Sequence, residues 1–123
     1  MNRKMEHYRH WLVSEKDRLS TSIRLLEQEK RTDEANWDKI RLNVIEAFET
    51  IAGADERFVS KQSGNTWDLF CQRYLPRFAS MSGKWKDALE KARLHGDASA
   101  EAVETIKIET AARIEAAFQN AED

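Results

Sequence analysis

Apolar side chains recur along this chain at steps of three, four or seven residues, the spacing that lines one side of an α-helix rather than alternate faces of a strand. The first stripe is Met5, Tyr8, Leu12, Leu19, Ile23 and Leu26. The stretch EQEKRTDEAN, residues 27–36, then contains one apolar residue, Ala35, and offers Thr32 or Asp33 as the N-cap of a second helix. A turn is expected there, although no glycine or proline enforces it, so one uninterrupted helix over 4–52 is the alternative. The second stripe, Trp37, Ile40, Val44, Phe48 and Ile51, leads to Gly53, where the helix is expected to end or fray. After a connection through GADERFVSKQSGN, Asn65 or Thr66 opens a third helix that runs to His95. Gly96 stands where a left-handed residue would close it, and Asp97 or Ser99 caps a fourth helix carrying Val103, Ile106, Ile114, Ala117 and Ala121.

Four segments of about 25 to 30 residues, each about 40 Å long at the helical rise, favour an all-α fold, an antiparallel up-down four-helix bundle. One domain over residues 1–123 accommodates them. Charge follows the same division: the net values are +3 for 1–31, −4 for 32–60, +4 for 61–96 and −5 for 97–123. With alternating signs, every adjacent pair of helices in an up-down bundle carries opposite net charge, a bias on topology rather than a large stabilising term.

The third segment is the most unusual. NTWDLFCQRYLPRFASMSGKW, residues 65–85, holds five of the eleven aromatic residues and the single proline. Trp67, Phe70, Tyr74, Phe78, Met81, Trp85, Leu89 and Ala92 keep helical phase across Pro76, so they read first as core, packed against the alanine-rich fourth helix. A proline inside a helix removes one hydrogen bond and clashes with the preceding turn, costing about 3 kcal/mol. Helix three is therefore expected to be kinked or broken near Pro76, and a break would make Ser82 the cap of a separate helix. A kink would open a cavity beside Trp67, Phe70, Tyr74, Phe78 and Trp85, a candidate site for a small apolar ligand.

The remaining chemistry is sparse. Cys71 is the single cysteine and falls on the core side of helix three, where it reads as a small buried hydrophobe. His7, His10 and Glu6 share one flank of the first helix, but the residues three before the histidines lack the Glu-x-x-His pattern of a di-metal bundle, so no metal or cofactor is assigned. His95 suits a helix C-terminus. No glycine-rich phosphate loop and no compact acid–base constellation are present, and no catalytic residue is assigned. Arg73, Arg77, Lys84 and Lys91 form the best basic face, yet a net charge of −2 and a pI near 6.0 argue against nucleic acid as the partner.

Near the start, the longest apolar run is Trp11 to Val13, too short for a secretory signal, and no stretch approaches a membrane span. A cytoplasmic location is expected. Trp11, Val13, Leu25 and Leu42 fall off the main stripes. Brought together they would make a patch that a protein partner or a second copy of the chain, as a homodimer, must cover. The sequence thus points to a non-catalytic protein-interaction or assembly module, with apolar-ligand binding as the alternative and nucleic-acid binding through helix three as the third reading.

Overall fold

The computed structural model describes residues 3–121. They form four helices, α1 (Arg3–Gln28), α2 (Thr32–Val59), α3 (Thr66–Leu94) and α4 (Ala98–Gln119), packed antiparallel as a four-helix bundle. The closest approaches are α1 with α2 and α3 with α4, so the fold is two hairpins laid together. Both hairpins turn through the same device. In the second, Gly96 takes a φ of 64° and the N–H of Asp97 donates to the carbonyl of Ala92 at 2.9 Å. In the first, Lys30 takes a φ of 62° and the N–H of Arg31 donates to the carbonyl of Leu26 at 2.9 Å. This six-to-one closure satisfies an orphan carbonyl at each helix end, and at Lys30 it does so with a side chain in a region that glycine occupies more easily. Helices one and two are therefore separate.

The hairpins meet chiefly through α2, which contacts both helices of the other hairpin, whereas the backbones of α1 and α4 approach little. The alternating-charge pattern had placed α2 and α4 on a diagonal. Instead these two acidic helices lie against each other, because Phe48, Ala52, Ile114 and Phe118 belong to one buried cluster whose apolar contact outweighs a modest surface-charge bias.

Three other expectations are corrected. α2 does not end at Gly53 but continues to Val59, since Ala52, Asp55 and Val59 are all buried and extend the inward stripe past a glycine that costs a helix only about 1 kcal/mol. α3 is one continuous helix from Thr66 to Leu94, which overturns a break near Pro76 and a separate helix capped by Ser82, and no kink is shown there. Pro76 and Gln72 both face solvent, where water can serve the Gln72 carbonyl that lacks its usual donor, while Tyr74 and Phe78 stay buried. Trp37, expected on the core stripe, is 41% exposed, because Ala35 and Asp38 take the inward positions of the first turns of α2.

The core is densest toward the end at which α1 and α3 begin. Phe48 stacks on Phe78 with centroids 4.5 Å apart, Phe70 on Tyr74 at 4.9 Å, and the Phe118 ring meets Tyr8 and Tyr74 edge-on at 5.0 and 5.1 Å. Past Phe78, Ala92 is the one α3 residue fully buried, and Met81, Trp85 and Leu89 are half-buried.

Candidate functional site

The polar groups inside the bundle are paired. The Tyr74 hydroxyl donates to the Phe48 carbonyl at 3.2 Å, which leaves its oxygen to accept from Tyr8 at 2.5 Å. Burial pushes the pKa of both phenols well above the ordinary tyrosine range. Asp55, 1% exposed, accepts from Arg73 Nε at 2.8 Å and from Arg77 at 2.9 and 3.3 Å. Glu15 accepts two hydrogen bonds from Arg18 and one from Arg113, and these, Arg18 first, hold its carboxyl below its usual value. Asp38 is held by Ser22 at 2.5 Å and Arg41 at 2.7 Å. Among the described residues, no buried side-chain nitrogen or oxygen lacks a partner.

The aromatic residues singled out on α3 divide. Tyr74 and Phe78 are enclosed by other rings, while Trp67 and Phe70 border a depression of about 190 Å³ at the end of the bundle, with Met5 and Val59 opposite. Trp85 lies just over four turns from Phe70 along the helix and is half-buried. Of the basic face, Arg73 and Arg77 are committed to Asp55, and Arg73 also sits 3.8 Å above the Phe58 ring. Lys84 and Lys91 are exposed further along α3. Cys71 is half-buried, with its thiol pKa raised by burial and then by Asp68. The His95 ring nitrogen lies 2.7 Å from the Lys91 carbonyl at the end of α3.

The off-stripe apolar residues do not converge. Trp11 and Val13, two positions apart, point about 200° apart around α1. Trp11 is half-buried near Ala117 of α4 and Ala121 just past its end, Leu42 packs on the core, and Val13 and Leu25 are exposed.

A more coherent surface forms around Trp37, which the periodicity had assigned to the core. Because α1 and α4 both pack on α2 and little on each other, the N-terminal turns of α2 stay open between them. Two depressions of about 540 Å³ each lie there, and Trp37 and Arg41 border both. On the α4 side the wall is Ala98, Ala102, Thr105 and Ile106, with Glu101. On the α1 side it is Ser22 and Leu26, facing Asp33, Glu34 and Asp38 of α2. The result is a surface with Trp37 between two unlike depressions, a mainly apolar one toward α4 and one toward α1 in which Leu26 stands among carboxylates. Its walls carry four carboxylates against one guanidinium. Sequence periodicity gave no signal for it, since Trp37 is in phase with the buried Val44 and Phe48.

Among the described residues, no group of three or more His, Cys, Asp or Glu side chains converges as a metal site would require, and no helix is long and apolar enough to cross a membrane. Comparison with known proteins found no matching family model, no matching curated protein and no matching solved structure.

Proposed function

We propose that this chain is a non-catalytic protein-interaction or assembly module, a single cytoplasmic domain that binds a protein partner or a second copy of itself through the groove around Trp37. The observation that carries this reading is the exposed tryptophan between an apolar depression toward α4 and an acidic one toward α1. Tryptophan is among the side chains that most often anchor an interface, and a polar rim around an apolar centre is the usual anatomy of one. The test is light scattering on a size-exclusion column together with chemical crosslinking in cell extract, comparing the wild-type chain with Trp37→Ala. A dimer, or a crosslinked partner, that is lost in Trp37→Ala supports the reading. A monomer with no Trp37-dependent partner refutes it.

The depression beside Trp67 and Phe70 supports a second reading, a small apolar ligand bound at the end of the bundle rather than beside Pro76. Titration with cyclohexane, which does not fluoresce, would quench or shift the tryptophan emission of the wild-type chain but not that of Trp67→Phe if so. An unchanged spectrum, together with an unchanged melting temperature, would dismiss it. Nucleic-acid binding through α3 loses its support with Arg73 and Arg77 engaged by Asp55.

A further inference from the structure

The groove around Trp37 has a definite size and charge, and both restrict what fits it. Its α2 wall runs from Asp33 to Arg41 and its α4 wall from Ala98 to Ile106, each about 12 Å at the helical rise. That is the length of two turns of a further helix. The two depressions lie on either side of Trp37 and Arg41, so an apolar side chain of a partner helix fits the α4 side, against Ala98, Ala102 and Ile106, and a cationic one fits the α1 side, against Asp33, Glu34 and Asp38.

Charge then selects among partners. Asp33, Glu34, Asp38 and Glu101 line the groove against Arg41 alone. Arg41 is already paired with Asp38, and the cations that meet Glu34 and Glu101, Arg31 and Arg93, stand outside the lining and are more than half exposed. The packing of acidic α2 against acidic α4 concentrates this charge on one side of the bundle. A partner bringing carboxylates here would meet like charge, while lysines flanking its apolar residues would meet the rim.

Resting on the interaction reading above, we propose that the groove docks a basic amphipathic helix of a partner protein, which seats an apolar side chain on the α4 side of Trp37 while its lysines or arginines face Asp33, Glu34 and Glu101.

The test uses the full chain and two synthetic probes, a short Leu/Lys amphipathic peptide and its Leu/Glu counterpart, titrated by calorimetry at low and high salt. The Leu/Lys peptide should bind, more weakly as salt rises, and the Leu/Glu peptide should not. Trp37→Ala should weaken binding about 30-fold, the effect of truncating a central interface tryptophan. Ala102→Lys, which adds bulk and positive charge to the α4 wall, should weaken it as well. Phe58→Ala, at the far end of α2 and about 30 Å along the helix from Trp37, should leave it unchanged, and circular dichroism checks that each variant is folded. If both peptides bind equally and both depend on Trp37, the basic partner is overturned while the interaction surface stands. If neither peptide shows binding that depends on Trp37 and Ala102, the groove is not the docking site, and the crosslinking comparison then decides separately whether the chain is an interaction module.

Discussion

Replacing Arg73 and Arg77 together with methionine would strip both cations from a carboxylate that is 1% exposed. The two arginine side chains are 40% and 41% exposed, so each can return its charge to water when Asp55 is lost, whereas Asp55 cannot when they are. The two halves of the ion pair are therefore unequal. Removing the partners of a buried charge costs about 3–5 kcal/mol. Either arginine alone leaves the other in place, and after discounting for solvent screening each single change costs about 1–2 kcal/mol. Asp55→Asn in the wild-type chain also costs stability, because the amide presents N–H groups to guanidinium donors. In the Arg73→Met, Arg77→Met background the same Asp55→Asn removes the stranded charge and should restore about 2 kcal/mol or more. Urea denaturation followed by far-UV circular dichroism reads this as a change of sign in one substitution between two backgrounds, at constant m. On heating, the double variant should melt about 10–20 °C lower than wild type. If Asp55→Asn destabilises both backgrounds equally, Asp55 does not depend on these arginines and the argument fails.

Tyr8 and Tyr74 are the two tyrosines of the chain, both buried with raised pKa values. Their contribution to stability is fully present below the ordinary phenol range, near 10, and is lost as pH rises beyond it, so the phenolate band should appear together with loss of helical signal; phenolate formation in a folded chain would contradict this. Glu15 has a lowered pKa, so its contribution is present above the ordinary carboxylate value and is lost as pH falls through the lower folded one. Glu15→Gln should therefore be less stable than wild type at neutral pH and converge with it as pH falls below the ordinary carboxylate range, and a gap that persists in strong acid would count against the pairing with Arg18 and Arg113. Pro76→Ala should raise the urea midpoint by the equivalent of about 1–3 kcal/mol, since it restores a helical bond to the Gln72 carbonyl without disturbing a buried group; an unchanged midpoint would mean that the helix is adapted to the proline. Lys30→Gly should stabilise by about 1 kcal/mol at its φ of 62°, and a loss of stability would place the strain elsewhere.

Most of the architecture was legible in the stripe of apolar residues, because burial of Tyr8, Leu12, Phe48, Phe70, Tyr74 and Phe78 follows their helical spacing. The second hairpin turn was readable from Gly96 and Asp97, whereas the first had only Lys30 in the same backbone state, and lysine carries no such signal. Pro76 misled because a proline's cost depends on which side of the helix it occupies, and solvent exposure is a tertiary property. Trp37 misled for a related reason. Periodicity shows that a residue is on the apolar side of a helix, but not whether a neighbouring helix extends far enough to cover it. The Asp55 cluster joins residues 18 and 22 positions apart, and nothing in the spacing of Asp55 marks it as the single acidic residue that α3 would reach with two arginines.

The hydroxyl pair between Tyr8 and Tyr74 has a consequence for how the two hairpins find their alignment. The backbones of α1 and α3 scarcely approach one another, and a core built of rings alone would let one hairpin slide along the other with little penalty, because one ring can take the place of the next. A slip of one turn, about 5.4 Å, would carry the Tyr8 oxygen out of reach of Tyr74 and strand it among apolar groups, at about 1–3 kcal/mol. Together with the Asp55 and Glu15 ion pairs that also cross between the hairpins, these two oxygen atoms act as a key, making one alignment of the hairpins distinguishable from its neighbours.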